Sequence, residues 1–249
     1  MKKLAIALSK GGVGKTTTAV NLAAGLARQG KSVLLVDVDT QGQAARALGV
    51  HPQVGLAEVI SGEAEFEAAC IAAREQLWVL SGGRTLAGLK RVITRKDFGG
   101  EQTLVETLQG PDERFDYVIL DTAPGWDALT VNVLFYADAV MSPVSLEVMT
   151  LQGLMEFSHS LAAIQKYHPE LGLKYILPTF FDRRVRKSGE ILAQLQAHFG
   201  ERVCAPVRYN VRLSEAPGYG QTIFEYAPAS IGAEDYQRLT ERILDDERA

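Results

Sequence analysis

A glycine-rich segment near the start of the chain places the tightest limit on its fold. Residues 9–17 read SKGGVGKTT, and they connect an apolar run, residues 4–8, to a helix-like stretch, residues 16–29. Glycines allow successive backbone N–H groups to point at one anion, and the N-terminus of the following helix adds positive charge. Lys15 is then placed to neutralise β- and γ-phosphates, and the Thr16 hydroxyl to ligate Mg²⁺. The strict GxxxxGK[ST] pattern fails only at Ser9, so the segment predicts a phosphate-binding loop.

Short apolar runs alternate with amphipathic stretches along the chain. The apolar runs are residues 4–8, 33–36, 78–80, 117–120, 139–141 and 175–177, and the helical stretches include 16–29, 130–136, 151–167 and 189–199. Runs that are apolar throughout are typical of parallel strands covered on both faces. The alternation favours an α/β fold with a doubly wound, mostly parallel sheet flanked by helices. No linker or repeat divides the chain, so we expect one domain over residues 1–249.

Aspartates follow two of the apolar runs. Asp37 and Asp39 end the second run, and Asp121 ends the run at residues 117–120. The carboxyl ends of parallel strands meet at the edge of the sheet where nucleotides bind. An aspartate after a buried strand, downstream of a phosphate loop, predicts a Walker B carboxylate. We therefore expect Asp121 to hold Mg²⁺ directly or through a water molecule.

Composition excludes several classes of protein. The net charge of −4 argues against an overall basic nucleic-acid coat, although it leaves a local patch open. The two cysteines, Cys70 and Cys204, lie far apart, which disfavours a disulfide framework or a zinc site. The N-terminal apolar run is too short for a signal peptide, and the longest apolar region, residues 131–151, is interrupted by charges and proline. We expect a cytoplasmic protein.

Lys10 has no role in an ordinary phosphate loop. With it, residues 10–16 (KGGVGKT) resemble the deviant Walker A motif of the ParA/MinD superfamily. Similarity to the small, Soj-type ParA ATPases of chromosome and plasmid partition extends over nearly the whole chain. It is carried by residues 178–184 (PTFFDRR), 210–220 (NVRLSEAPGYG), 224–228 (FEYAP) and 232–236 (GAEDY). Because the chain begins almost directly at the first predicted strand, it resembles the type without an N-terminal helix-turn-helix region.

The resemblance implies an ATPase that uses ATP and Mg²⁺. It assigns catalysis to Lys10, Lys15 and Asp39: Asp39 positions or activates the attacking water, and Lys10 reaches the nucleotide of a partner subunit, much as an arginine finger does. Asp37 would help to organise the metal region with Thr16 and Asp121. The nucleotide-binding residues implied are Lys10, Gly11, Gly12, Val13, Gly14, Lys15, Thr16 and Thr17, with adenine contacts near Phe180, Pro206, Val207 and Arg208.

The resemblance also implies partners. An ATP-dependent homodimer would bind double-stranded DNA without sequence preference, and a ParB-type centromere-binding protein would stimulate hydrolysis and release the dimer. The family's DNA-contacting arginines match Arg183, Arg184 and Arg212, which implies a cytoplasmic, nucleoid-associated protein. Residues 181–220 contain seven basic and four acidic residues, so a local patch can attract phosphates although the whole chain is acidic.

Three alternative functions differ from this one in the residues that they require. A membrane-recruited, MinD-like regulator should end in a basic amphipathic helix, whereas residues 241–249 (ERILDDERA) carry an acidic run that anionic lipid repels. A reductase similar to the nitrogenase iron protein needs cluster-binding cysteines, which Cys70 and Cys204 do not provide by position. A ParA/MinD-like ATPase that positions another cargo stays open, because its core machinery would have the same sequence.

Overall fold

The sheet has the predicted parallel core. The computed structural model describes residues 1–95 and 99–248. In these ranges seven strands form one sheet in the order β3-β4-β2-β5-β1-β6-β7. They are β1 (Lys2–Ile6), β2 (Val33–Val38), β3 (Cys70–Arg74), β4 (Leu77–Leu80), β5 (Tyr117–Thr122), β6 (Ala139–Ser145) and β7 (Gly172–Thr179). Strand β3 is antiparallel to β4, and the other pairs are parallel. The predicted mostly parallel α/β fold is therefore confirmed.

Strand β3 is the strand that the sequence did not predict. Its residues, CIAAR, are mostly partly exposed, as the edge position allows. The strand therefore lacks the continuous apolar run by which the six predicted strands were identified. It ends a sheet whose inner strands are buried on both faces.

Helices flank the sheet on both sides. The described helices are α1 (Lys15–Arg28), α2 (Gln43–Ala47), α3 (Leu56–Ser61), α4 (Phe66–Ala69), α5 (Leu86–Arg95), α6 (Thr103–Leu108), α7 (Ala128–Tyr136), α8 (Val148–Ile164), α9 (Arg186–Phe199), α10 (Val211–Glu215), α11 (Ile223–Tyr226) and α12 (Ile231–Arg248). Short 3₁₀ segments lie at Gly100–Gln102, Pro111–Arg114, Gly200–Arg202 and Ala216–Tyr219. The four helices predicted by range are all present, with shifted ends. No helix in the described part of the chain is both long and apolar enough to cross a membrane.

Two hydrophobic cores lie on opposite faces of the sheet. In β5, Val118 and Leu120 face the core beneath α5 to α9, whereas Tyr117 and Ile119 face the core beneath α1, α2, α11 and α12. Successive side chains of a strand point to opposite faces, so a strand that is covered twice must be apolar at every position. This explains why the inner strands read as unbroken apolar runs.

The strand order brings the carboxyl ends of β1, β2 and β5 together. Strand β5 lies between β1 and β2, and its Asp121 is in register with Ile6 on one side and with Asp37 on the other. The loop that leaves β1 therefore begins beside both aspartates. This is the switch point of a doubly wound sheet, where ligands bind.

Candidate functional site

A cavity of about 480 Å³ opens at this edge of the sheet. Its size is within the usual range of small-molecule sites. Its lining comes from the phosphate loop and the start of α1, the loops after β2 and β5, the end of β7, the segment that follows residue 206, and one residue of α12. The lining residues are Gly11, Gly12, Gly14, Lys15, Thr16, Thr17, Asp39, Gln41, Gln43, Thr122, Pro124, Thr179, Phe180, Val207, Arg208, Tyr209, Asn210, Val211, Leu213, Ser214 and Tyr236.

The phosphate loop forms one wall of the cavity. Gly12 and Gly14 have φ angles of 72° and 88°. Side chains other than glycine rarely adopt this left-handed conformation, so both glycines are required for the loop to turn into α1. Val13 is buried, and its carbonyl accepts a hydrogen bond from Thr179 Oγ1 at 3.0 Å. The loop is thus attached to the end of β7 and presents its backbone to the cavity.

Lys15 lies at the base of this wall with little access to solvent. Its side chain is 7% exposed, and its Nζ donates to the carbonyl of Lys10 at 2.9 Å. Burial lowers the pKa of Lys15, while the charges of Asp121 and Asp39 oppose the shift. A buried ammonium with one neutral acceptor gains from the arrival of an anion, because the anion compensates the lost hydration. The buried charge of Lys15 therefore favours the binding of a phosphate group in this cavity.

Asp121 is fully buried, and among the described residues neither of its carboxylate oxygens has a partner within hydrogen-bond geometry. Burial, and then the charge of Asp37, raises the pKa of Asp121 well above its usual range, and Thr16 and Lys15 oppose this shift. Buried carboxylates without partners are rare in folded proteins and need a compensating group. A bound cation would therefore stabilise the Asp121 carboxylate.

Asp37 is bound differently from Asp121. Its Oδ1 accepts from the backbone N–H of Asp39, and its Oδ2 accepts from that of Ala44, both at 2.9 Å. Burial raises the pKa of Asp37 to about 6, and the two backbone donors oppose the shift. Asp37 does not line the cavity in the described structure. These contacts shape the loop between β2 and α2, and the role of Asp37 in the metal region stays a prediction.

The residues at this edge fit Mg²⁺ bound together with phosphates. No group of three or more His, Cys, Asp or Glu side chains in the described ranges could hold a metal ion. The orphaned oxygens of Asp121 and the hydroxyl of Thr16 are hard oxygen donors. Mg²⁺ usually takes one or two such protein ligands and completes its shell with water and substrate phosphates. Thr16 and Asp121 would hold the ion, which when bound would offset the phosphate charge.

Asp121→Asn should stabilise the ligand-free protein near neutral pH, because it removes the free-energy cost of keeping Asp121 either protonated or charged in a buried site. The folded state holds a proton on Asp121 at a pH where the unfolded state has lost it. The contribution of Asp121 to stability therefore falls as pH rises from about 4 through its raised pKa. The variant's melting temperature should exceed that of the wild type by about 2–4 °C or more near neutral pH and converge with it near pH 4.

Thermal unfolding from acidic to neutral pH, with and without MgATP, measures this effect. MgATP should raise the melting temperature of the wild type more than that of Asp121→Asn. A variant that is less stable than the wild type at every pH, yet equally stabilised by MgATP, would contradict the assignment of Asp121.

Asp39 lies in the loop that follows β2. It is partly exposed, lines the cavity, and accepts the backbone N–H of Gln41 at 2.9 Å through Oδ1. The backbone N–H of Asp39 donates to Asp37, which fixes the backbone of this residue. The Asp39 carboxylate is therefore held in place and has access to the cavity. This placement is compatible with the predicted role in orienting water, which stays a prediction.

The far wall of the cavity is formed where residues 207–209 run beside the end of β7. Val207 N–H donates to the carbonyl of Pro178, and Phe181 and Tyr209 complete the pairing. Phe180 lines the cavity with φ of 56°, an unusual value for a bulky residue and one that often marks a functional site. The predicted adenine contacts Phe180, Val207 and Arg208 are thus brought to one wall, whereas Pro206 precedes the lining.

Residues 209–214 have no nucleotide role predicted from the sequence. Tyr209, Asn210, Val211, Leu213 and Ser214 all line the cavity. The segment NVRLSEAPGYG indicates the family, but a family resemblance does not show which of its side chains face the nucleotide cavity. Thr179 and Tyr236 also line the cavity, and no local pattern distinguishes either from a core residue.

The three predicted DNA-binding arginines are exposed beside this wall, two on a loop and one in a short helix. Arg183 and Arg184 follow β7, and Arg212 is in α10. Arg184 pairs with Asp182 at 2.7 Å and Arg212 with Glu215 at 2.9 Å. Both arginine side chains remain more than half exposed, at 84% and 58%, so these surface pairs are weak.

The basic patch is smaller than the residue count over 181–220 implied. Arg208, one of the seven basic residues, donates to Asp235 at 2.7 Å and to Glu234 at 2.6 Å. Both carboxylates lie in α12, outside the counted window. The count was wrong as a measure of free positive charge, because distant residues of the chain neutralise Arg208.

Lys10 is held within its own chain. Its Nζ donates to Glu147 Oε2 at 3.0 Å and to Thr150 Oγ1 at 2.9 Å, at the start of α8. The Thr150 hydroxyl is in turn 3.0 Å from Ser145 Oγ. The sequence could not predict this contact, since Lys10 and Glu147 are 137 positions apart. The structure does not bring the Lys10 side chain into the cavity of its own chain.

Comparisons with known proteins agree with this architecture. A family model described as an AAA domain matches residues 1–173. The chromosome-partitioning ATPase Soj of Thermus thermophilus is 41% identical over 246 residues, which are 98% of this chain and 96% of the relative. The chromosome partitioning protein ParA of Caulobacter vibrioides is 34% identical, over 100% of this chain and 96% of the relative. Cobyrinic acid a,c-diamide synthase from Mycobacterium smegmatis, solved with an ATP analog and magnesium, has a TM-score of 0.86 at 31% identity, covering 100% of this chain and 96% of that one.

The glycine-rich loop after β1 and the aspartates at the ends of β2 and β5 define a nucleoside triphosphatase of the P-loop class. Its relatives are specific enough to go further. The chain belongs to the ParA/Soj family of ATPases, and the predicted family and ATPase activity are confirmed. The Mycobacterium smegmatis structure carries a different enzymatic name, and its likeness supports the shared fold.

Proposed function

We propose that this protein is an ATP-switched DNA segregation ATPase. The ATP-bound form is a nucleotide-sandwich homodimer that binds double-stranded DNA without sequence preference. A ParB-type partner stimulates hydrolysis and so releases the dimer, which gives a cytoplasmic, nucleoid-associated protein. The names of the Thermus and Caulobacter relatives, both concerned with chromosome partitioning, support this function. The described strands belong to one sheet, which supports a single domain over residues 1–249.

ATP with Mg²⁺ is bound at the carboxyl edge of the sheet. Lys15 and the backbone of the phosphate loop neutralise and orient the β- and γ-phosphates, while Thr16 and Asp121 hold the cation. Asp39 orients the water that attacks the γ-phosphate. Lys10 of the partner subunit adds positive charge where the transition state gains negative charge. Because Lys10 is supplied to the nucleotide only in the dimer, the monomer should hydrolyse ATP slowly.

One observation carries the link between nucleotide and DNA. Val211, Leu213 and Ser214 line the nucleotide cavity, and Arg212, in the same turn of α10, exposes 58% of its side chain. One short segment therefore has a face toward the nucleotide and a face toward solvent. A nucleotide that orders this segment also orders its arginine, and a dimer doubles the number of arginines. Both effects favour DNA binding by the ATP-bound form.

Arg212→Glu tests this DNA-binding face. The substitution should lower the affinity of the ATP-bound form for duplex DNA by about tenfold or more, because a phosphate contact becomes a repulsion in each subunit. Nucleotide affinity should stay unchanged, since the Arg212 side chain points to solvent. The matched control is Arg202→Glu, at an exposed arginine in the Gly200–Arg202 segment. Equal DNA isotherms for Arg212→Glu and the wild type would contradict the assignment.

The contact of Lys10 with Glu147 yields a second prediction. A lysine that acts on a partner's nucleotide must first leave Glu147 and Thr150 of its own chain. Glu147→Gln weakens this contact by removing a charge, so ATP-dependent dimer formation should rise about two- to fourfold; the effect is modest because Glu147 is 68% exposed. Mass photometry with ATP and magnesium measures the dimer fraction.

The control is Glu156→Gln, in the same helix, where the carboxylate accepts from Gln152 at 3.0 Å. It should leave the dimer fraction unchanged. A lower dimer fraction for Glu147→Gln would mean that the Lys10–Glu147 pair belongs to the assembled form, and would refute a competition between Glu147 and the partner's nucleotide for Lys10.

A further inference from the structure

A single buried amide joins the helix of the phosphate loop to the C-terminal part of the chain. Asn21, in α1, is 5% exposed. Its Nδ2 donates to the carbonyl of Thr17 at 2.8 Å, and its Oδ1 accepts the backbone N–H of Ile223 at 2.8 Å. Thr17 lines the nucleotide cavity, and Ile223 is the first residue of α11. The start of α11 is thus attached directly to the nucleotide-binding helix.

Helix α11 in turn holds α10. Tyr226, at the end of α11, donates its hydroxyl to Glu215 Oε2 at 3.0 Å. The same oxygen accepts from Arg212 Nη1 at 2.9 Å. Hydrogen bonds therefore run from Asn21 through α11 and Glu215 to the Arg212 guanidinium, the group with the proposed DNA contact.

A second attachment comes from the edge strand. The Arg74 guanidinium donates to the carbonyl of Leu48 at 3.0 Å, to that of Gly220 at 2.8 Å, and to the carboxylate of Glu225. Glu225 Oε2 also accepts the N–H of Thr222, which precedes α11. Arg74 thereby fastens residues 220–225 to the end of α2, the helix that follows the Asp37–Asp39 loop.

Packing and directional bonds both hold this part of the chain. Ile223 is fully buried and Phe224 is 6% exposed, whereas a cavity of about 290 Å³ opens between α1, α2 and residues 216–221, with Asn21 in its wall. Where apolar contact is incomplete, orientation depends more strongly on directional bonds. The Asn21–Ile223 bond crosses beside this cavity.

We propose that Asn21 is a positioning residue for DNA binding. By fixing α11, and through Tyr226 and Glu215 also α10, on the phosphate-loop helix, it presents Arg212 in one orientation relative to the bound nucleotide. Preorganisation of this kind raises affinity by reducing the ordering cost of binding. The inference rests on the proposed function, specifically on the DNA contact of Arg212.

A double-mutant cycle tests the proposal. Asn21→Ala should keep its affinity for MgATP within about threefold of the wild type, because the amide does not line the nucleotide cavity. The affinity of its ATP-bound form for DNA should fall about tenfold, because α10 loses its fixed orientation in each subunit. Adding Arg212→Ala should produce little further loss, because an unpositioned arginine contributes little.

Arg183 supplies the matched control. It lies in the loop that follows β7, whereas Arg212 is in α10. The losses of Asn21→Ala and Arg183→Ala should therefore add, whereas those of Asn21→Ala and Arg212→Ala should not. A purely structural Asn21 would affect both pairs alike.

Asn21→Ala leaves the Ile223 N–H unpaired, so circular dichroism and thermal unfolding accompany each measurement. If the variant does not fold, Arg74→Ala takes its place in the same cycle, because the Arg74 side chain is 30% exposed and its loss spares the core.

Additive losses for Asn21 and Arg212, wild-type DNA affinity in a folded Asn21→Ala variant, or a parallel loss of ATP binding would each overturn the proposal. An unchanged DNA isotherm for Arg212→Ala alone would refute the DNA-binding role of Arg212, and this inference with it. The ATPase assignment would survive that result.

Discussion

Lys15→Ala is expected to abolish ATP binding in the measurable range, a loss of at least about 100-fold in affinity. Lys15 is 7% exposed and lies at the base of the phosphate loop. In the structure it donates to the carbonyl of Lys10, a neutral acceptor that phosphate would replace. Alanine leaves two phosphate groups in a water-poor site without their main counter-charge. Isothermal titration calorimetry with a non-hydrolysable ATP analogue and magnesium measures the effect.

The control for this experiment is Lys166→Ala, which removes an exposed lysine from the other side of the sheet. It should bind the analogue as the wild type does, and both variants should keep the wild-type circular dichroism spectrum. Retention of tight analogue binding by Lys15→Ala would be incompatible with the phosphate-loop assignment.

Asp39→Ala is expected to slow ATP hydrolysis by about 100-fold or more while ATP binding is retained, because general-base or orienting groups contribute rate factors of this size. Asp39 lines the cavity, but its carboxylate is separate from the backbone groups that cradle phosphate. The ATP-bound dimer should accumulate, since the step that dissolves it is blocked. Phosphate release under single-turnover conditions gives the rate, and mass photometry gives the dimer fraction.

Asp39→Asn separates chemistry from loop structure. It retains an oxygen that can accept the Gln41 N–H, so the loop should keep its shape, yet it lacks the carboxylate charge. Both variants should be equally slow if the carboxylate acts on water. Wild-type turnover in either variant would remove Asp39 from the mechanism.

The parallel core of the fold could be predicted from the sequence, because strands that are buried on both faces must be apolar at every position. Tyr117 to Ile119 must be apolar at every position when α1 covers one face and α7 the other. The edge strand β3 has no such pattern, since its residues are partly exposed although they pair with β4 in a short hairpin. Periodicity reports burial, and it does not report which strand lies beside which.

The phosphate side of the site was predictable for a similar reason. Gly12, Gly14, Lys15 and Thr16 act through the local backbone, so their spacing carries the chemistry. The binding of Lys10 by Glu147 and of Arg208 by Asp235 could not be read from spacing, because the fold joins positions far apart in the chain. These distant carboxylates decide which positive charges are free.

Binding of nonspecific duplex DNA, compared with ATP, with ADP and without nucleotide, tests the central claim most directly. Fluorescence anisotropy at about 50 mM and about 200 mM salt would separate phosphate contacts from other attraction, because such contacts weaken steeply with salt. The proposed function predicts salt-sensitive binding with ATP and magnesium only. Binding that is equal in all three nucleotide states, or absent from all of them, would contradict the DNA-tethered switch while leaving the ATPase assignment intact.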